Sequence, residues 1–479
     1  MKRVKREAGI SAGLSLQGLP PHAYLEIVRY FDDPPTVVAF LNVLAIPRVR
    51  GPLEPLWQLL RQEEPTSHVY FWPTLHLRPG SNSNDTVSLF ESIVGIYPHV
   101  IVRRNFDPAW LRQHLPADTT IEWQGIPDSP DQIGGMQLTD WFAQWPPLRI
   151  QSLVMTYQNI DRLIPVLPTL PHLVKLTLDF SWCTSIGPLL AWLHVSNILE
   201  LHLQALNERR NSAQYTPEML QQFCHWLETR PVRRLKLVSC QWESDNNSTH
   251  EFFRAMLSCP TLETLVINEC RLPIQLVAPT QFPLKLRNLD MGDCSVQAQG
   301  LKDVSLALVG SNVETLGLRG CEYYNHGLMY LFAAIEHSKV TYLDLSKCNI
   351  GSHNIAHLTP FFDQENCVET LVLNGNPIDD IGAHQFAHAL RRNTCLRHLH
   401  VSGCELGLDG IVSLLTIPSM RARPLKSIRV GWTTSMSADD VTLVKSIAQK
   451  MNVELAIGLQ PPPYFDGKYV PNETDAAAI

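Results

Sequence analysis

One eleven-residue phrase recurs four times between Val313 and Leu406. It reads Val313-Glu-Thr-Leu-Gly-Leu-Arg-Gly-Cys-Glu-Tyr323, then recurs from Val340 to Ile350, Val368 to Ile378 and Leu396 to Leu406, in steps of 27, 28 and 28 residues. Each copy has apolar residues at positions one, four and six, and Cys or Asn at position nine. A fixed period of this size indicates a solenoid, in which each unit buries its apolar face against its neighbours. Such arrays usually bind other macromolecules, so the phrase directs the reading toward recognition and away from chemistry.

The phrase has the form of a leucine-rich repeat. Clean copies start at Val232, Leu262 and Leu286, with Cys240, Cys270 and Cys294 at position nine. Earlier copies are Ile150, Leu153, Met155, then Leu173, Leu176, Leu178, then Ile198, Leu201, Leu203. A polar insertion, Asn207 to Tyr215, lengthens the step before Val232. A weaker copy follows at Leu425, Ile428 and Val430, and Leu455 to Ile457 is expected as a last strand. Segments such as Gly327 to His337 and Ile381 to Asn393 carry helical periodicity. Asn374 to Ala383 resembles the ribonuclease-inhibitor type of repeat, while the cysteine-containing copies look like the type common in F-box proteins.

A strand alternates faces, so positions four and six point into the solenoid and three, five and seven away from it. The Cys or Asn at position nine falls where the chain leaves the sheet. A polar group there can satisfy backbone groups shut off from water, each of which costs about 1–3 kcal/mol if left unpaired. On the open, concave face the candidate substrate-binding residues are Lys236, Asp290, Arg319, Tyr342, Asp344, His398, His400 and Arg429, with Arg234, Asn268, Asn288 and Asn374 on the same face. The set is polar, of mixed charge and poor in aromatic anchors, which suits a specific polar contact.

Residues 15–62 read as three short helices. Leu19-Pro20-Pro21 opens the first, Asp32 to Pro35 breaks it, Thr36 is placed to cap the second, and a third includes Leu56 and Trp57. This segment resembles an F-box, which starts Leu-Pro, continues with a hydrophobic first helix and closes on a Leu-Trp pair. His22 and Ala23 depart from that pattern. The resemblance implies that Leu19, Pro20, Ile27, Val28, Phe31, Leu56 and Trp57 bind a Skp-type adaptor of a cullin complex. The other reading of these helices is a cap on the end of the solenoid. From Ser67 to Trp145, short strands at Leu75–Leu77, Val100–Val102 and Ile121–Trp123 read as atypical leading repeats, with helices around Val87 to Ile96 and Pro108 to His114.

Apolar residues make up 45% and charged residues 18% of the chain, with a net charge of −7. That charge gives no reason to expect nucleic-acid binding. The longest nearly apolar run, Val37 to Ile46, is too short to span a bilayer, so no membrane partner is expected. A basic start (Lys2, Arg3, Lys5, Arg6) is followed by no apolar signal core, and a cysteine used once per repeat suits a reducing compartment. The expected location is the cytoplasm or the nucleus.

His384-Gln-Phe-Ala-His388 has the spacing of a zinc-protease helix, but Gln385 replaces the general base. His398 and His400 share a strand face without a carboxylate or cysteine to complete a metal site. No metal, cofactor or catalytic residue is expected. The fold class is α/β: a leucine-rich-repeat solenoid with a curved parallel sheet inside and helices outside, preceded by a small all-α F-box-like domain. The expected segments are a tail (1–14), the helical domain (15–66), leading repeats (67–145), the regular solenoid (146–459) and a second tail (460–479). Three functions remain open: substrate recognition for a cullin-type ubiquitin ligase, a plain repeat scaffold, and a GTPase activator of the Ran type.

Overall fold

The position-four residue of each copy stacks on its counterpart in the next. In the parallel register Leu201 pairs with Leu235, and the row continues through Leu265, Leu289, Leu316, Leu343, Leu371 and Leu399 to Ile428. None of these side chains is more than 2% exposed. A one-residue slip would turn the row outward, so burial of this one position fixes the register of the whole ladder.

The computed structural model describes residues 19–44, 46–78, 84–156, 158, 160–180, 186–205, 214–242, 247–272, 284–294, 296, 298–321, 325–362, 367–417, 423–432 and 436–458. The basic start, the carboxyl tail and most of the insertion after Asn207 lie outside them. The chain divides into two compact units: Met1–Gln158 with Pro165–Thr177, and Asn159–Ile164 with Leu178–Ile479.

The first unit begins with α1 (Pro21–Val28), α2 (Pro34–Val43), α3 (Pro47–Arg50) and α4 (Glu54–Gln62). Three expected helices are thus four, because the Pro47 to Pro52 break forms a short helical turn of its own. Asp33, not Thr36, caps α2: its Oδ1 accepts the Thr36 backbone N–H at 2.8 Å, which draws its carboxyl pKa below the ordinary value. Then come β1 (Leu75–Leu77), α5 (Asn84–Ile93), β2 (His99–Arg103), α6 (Pro108–His114), β3 (Thr120–Gln124), α7 (Leu138–Phe142) and β4 (Ile150–Thr156). The four strands are parallel and follow chain order.

The leading strands occur where expected, but aromatic residues replace the leucine lattice behind them. Trp123, Trp141, Trp145 and Phe142 form one buried cluster, with ring centroids 4.6–5.3 Å apart. Large rings fill the space of several leucines, which is why the repeat pattern fades here. The helices share this unit with the strands: Trp72 Nε1 donates to the Phe31 carbonyl at 2.7 Å, and Arg29 Nη2 to the Ile96 carbonyl at 3.2 Å. The boundary expected at residue 66 coincides with no division of the chain into units.

After β5 (Lys175–Phe180), in which the division falls, come α8 (Gly187–Leu193), β6 (Glu200–Ala205), β7 (Gln214–Tyr215), α9 (Pro217–Thr229), β8 (Arg234–Val238), β9 (Gln241–Trp242), α10 (Asn247–Ser258), β10 (Thr264–Asn268), β11 (Asn288–Asp290) and α11 (Ala298–Leu308). The regular copies then alternate: β12 (Thr315–Gly317), α12 (Asn325–Ile335), β13 (Tyr342–Asp344), α13 (Ser352–Phe362), β14 (Thr370–Val372), α14 (Asp380–Ala389), β15 (His398–His400), α15 (Leu408–Thr416), β16 (Ser427–Trp432), α16 (Ala438–Met451) and β17 (Glu454–Gly458).

Position nine behaves as the sequence implies. Asn376 Nδ2 donates to the carbonyls of Leu345 (2.8 Å) and Leu373 (2.9 Å), while its Oδ1 accepts the N–H groups of Cys348 (3.0 Å) and Ile350 (2.9 Å). Cysteines at the same place donate their S–H one repeat back: Cys294 to Ile267, Cys321 to Met291, Cys348 to Leu318 and Cys404 to Leu373. Position eight adds a rule that the residue types conceal. Ser239, Glu269, Asp293, Gly320, Lys347, Gly375 and Gly403 all have positive φ, between 53° and 69°. Every clean copy leaves the sheet through a left-handed residue, whatever its side chain.

Candidate functional site

Alternation along the short strands gives the second unit an open face of three rows. The position-five row runs Lys236, Val266, Asp290, Gly317, Asp344, Val372, His400, Arg429 across paired strands. The position-three row runs Arg234, Thr264, Asn288, Thr315, Tyr342, Thr370, His398, Ser427 in the same registers. Lys236, Asp290, Arg319, Tyr342, Asp344, His398, His400 and Arg429 are all half-buried, as members of a shallow face should be.

The ladder brings three of these eight together. Gly317 stands between Asp290 and Asp344 in the row and has no side chain to separate them. A Cβ there would lie 2.6 Å from Asp290 Oδ1, so the Asp290 carboxylate occupies the space that other repeats give to a side chain. Asp290 Oδ1 accepts the Gly292 N–H at 2.9 Å, and Asp344 Oδ1 accepts both the N–H (2.8 Å) and Oγ–H (2.5 Å) of Ser346. Two residues beyond Gly317, Arg319 donates from Nε (3.0 Å) and Nη2 (2.7 Å) to one oxygen of Asp293.

These charges act on one another. Burial raises the Asp344 pKa and the nearby Asp290 adds to it, while hydrogen bonds from Ser346 and the charge of Arg319 pull the other way; the net direction is up. For Arg319, burial works downward, but Asp293, Asp290 and Asp344 outweigh it and hold the guanidinium pKa above its ordinary value. The result is a cation set among three carboxylates, a polar and preorganised patch.

His398, His400 and Arg429 form a second group. His398 Nδ1 lies 2.7 Å from Ser427 Oγ, and His400 pairs with Arg429 across β15 and β16. Burial and the charge of Lys426 lower the His398 pKa, so at neutral pH it offers hydrogen-bonding nitrogens. Lys236 stands apart, two strands from Asp290. His384 and His388 lie on the exposed side of α14 with ring centroids 4.7 Å apart. No cluster of three or more His, Cys, Asp or Glu able to hold a metal ion occurs among the described residues. Sequence reasoning missed Gly317 and Asp293; the signal for the first was an absent side chain at position five.

Among the adaptor-side residues, Val28 and Leu56 are completely buried, so they hold the helices together and present nothing to a partner. Ile27, Phe31 and Trp57 are half-buried. Trp57 donates to Asn42 Oδ1 at 2.9 Å, and the guanidinium carbons of Arg50 and Arg61 lie 3.8 and 4.9 Å from its ring centre. Buried Arg50 in turn donates to the Leu44 carbonyl at 2.8 Å and to Glu54 Oε2 at 2.5 Å. Trp57 is thus engaged within the fold. Leu19 and Pro20 are exposed, and three residues absent from the expected set are exposed with them: Tyr30 (83%), Val43 (60%) and Ile46 (52%).

A family model described as Leucine Rich repeat matches residues 336–352 and 392–415. No curated protein matches the chain. Among the described residues no helix is long and apolar enough to cross a membrane. The repeats imply a role in protein interaction.

Proposed function

We propose that the chain is the substrate-recognition subunit of a cullin-type ubiquitin ligase, acting in the cytoplasm or nucleus by binding and not by catalysis. Its amino-terminal helices dock a Skp-type adaptor, and the open face of the second unit receives a protein substrate. The observation that carries the reading is the exposure of Leu19, Tyr30, Val43 and Ile46 on or beside α1 and α2, next to the Leu-Pro start of an F-box-like segment. A contiguous exposed apolar patch marks an interaction site, and these four side chains are the ones from which such a patch on this segment would be built. On the receiving side, the Asp290, Arg319 and Asp344 patch selects a partner through charge placement.

The test is a pull-down of the full chain with purified Skp adaptor. The reading expects capture of the adaptor, and loss of capture in Tyr30→Asp and Val43→Asp, whose side chains are exposed and whose replacement leaves the core intact. No capture at micromolar concentration, or capture unaffected by both variants, rejects it. A second reading rests on the hydrogen bond from Trp72 to Phe31: helices that share a core with the first strands serve as the end cap a solenoid needs. A plain scaffold of this kind stays stable and captures no adaptor.

A further inference from the structure

α14 carries two histidines one turn apart, and both are exposed to solvent. His384 and His388 stand at i and i+4, with ring centroids 4.7 Å apart and ring planes inclined at 63°. Two imidazoles bound to one ion through nitrogens at about 2.0–2.1 Å, at near-tetrahedral angles, have ring centres about 5 Å apart. The helix therefore holds the pair at the separation of a chelate before any ion arrives. Gln385 stands where a hydrolytic metal site has its glutamate base, but binding needs only the two imidazoles.

Ser413 of α15 decides which nitrogen of His384 is available. Its Oγ donates to the Asp409 carbonyl at 2.8 Å, one turn back in the same helix, and lies 3.2 Å from His384 Nδ1. A hydroxyl has one proton to give. The shorter bond uses it, so Oγ accepts from Nδ1–H and the lone pair of the neutral ring is left on Nε2. Ligating histidines commonly make such a bond through their other nitrogen, and it fixes both tautomer and ring orientation. His388 has no ion-pair partner among the described residues, and its ring turns about χ2, a broad torsion.

We infer that His384 and His388 chelate a divalent transition-metal ion, with Ser413 holding the His384 ring in place. Imidazole nitrogen suits ions such as zinc, copper and nickel, whereas magnesium takes oxygen ligands. Two protein donors leave the other positions of the ion to water, so this is an open site and not a closed structural one. It goes beyond the ligase reading, because it uses neither the exposed residues of α1 and α2 nor the open face of the sheet.

The experiment titrates the full chain with zinc chloride alone and follows binding by calorimetry. One zinc-binding step is expected to weaken about tenfold or more in His384→Gln and in His388→Gln, and to persist in His398→Gln, on a strand. Ser413→Ala, which keeps both ligands and removes the bond that orients one, should weaken the same step about tenfold. Magnesium chloride should give no such step. The unaltered protein supplies a reading free of folding effects: the ring resonances of His384 and His388 must shift together as zinc is added. A step unchanged in either of those two variants or in Ser413→Ala overturns the inference. Equal weakening in all three histidine variants, an equal response to magnesium, or ring resonances that stay in place also overturns it.

Discussion

Asn376 Oδ1 accepts the backbone N–H of Cys348 at 3.0 Å, from the preceding repeat. With its other three hydrogen bonds this makes Asn376 the joint between two repeats, whereas a cysteine at position nine donates a single S–H. Asn376→Ala leaves the Leu345 carbonyl and the N–H groups of Cys348 and Ile350 unpaired in a water-free corner, and leaves the Leu373 carbonyl only the Cys404 S–H. At about 1–3 kcal/mol for each unsatisfied group, less partial relaxation, the loss should be about 3 kcal/mol or more. Asn376→Cys should lose less, since cysteine already serves at this position elsewhere. Equilibrium denaturation ranks the variants, and equal costs would reject the capping role.

Gly403 has φ of +69°, and a Cβ there would meet nothing closer than 3.8 Å. Substitution therefore tests backbone conformation without steric interference. Gly403→Ala should cost about 1–2 kcal/mol, the penalty of holding an L-residue in the left-handed region. An unchanged unfolding midpoint would mean that the turn relaxes and that position eight is not held left-handed.

The ladder and its corners were legible in the sequence because one period places one residue type in one environment. Leu316, Leu343, Leu371 and Leu399 must be buried together for any strand to be. Position eight was not legible, since Ser239, Glu269, Asp293 and Lys347 share a backbone angle and no side-chain chemistry. The face between Asp290 and Asp344 depends on Gly317, a residue that contributes only space. In the helices, periodicity showed that Val28 and Leu56 face an apolar environment but not whether that environment was the chain itself or a partner. Full burial assigns them to the chain.

Cysteine chemistry separates along the same line. Cys240, Cys270, Cys294, Cys321 and Cys348 are buried, and burial pushes the Cys294 thiol up to about 12. Only thiolate reacts with iodoacetamide, so these five should stay unlabelled in the native protein. The half-exposed Cys367 and Cys395 should label before these five. Peptide mass mapping after brief alkylation checks the order. Early labelling of Cys294 would mean that the corners open readily.

Asp344 carries a raised pKa in the folded chain, with burial as the largest cause and Asp290 adding to it. A carboxyl that is harder to ionise when folded detracts from stability once pH rises above its unfolded value near 3.8. The penalty grows as pH passes from that value up to the folded pKa and is constant beyond it. Asp344→Asn removes the charge and retains an oxygen for the two Ser346 bonds. The variant should melt higher than the parent near neutral pH, and the difference should vanish at about pH 3. A lower melting point at neutral pH would show instead that attraction to Arg319 outweighs burial.

Gly317 and Asp290 offer a test of the patch that does not depend on any ligand. In Gly317→Ala the new Cβ would sit 2.6 Å from Asp290 Oδ1, which must move and give up the Gly292 N–H. Overpacking of this kind costs about 1–3 kcal/mol. In an Asp290→Ala background the carboxylate is gone and the remaining contact, with Cβ at 3.2 Å, needs only a small adjustment. The second substitution should therefore cost much less there, giving a coupling of about 1–2 kcal/mol in a double-mutant cycle. Equal costs in both backgrounds would mean that Gly317 is not what admits Asp290, and the preorganised patch would lose its structural basis.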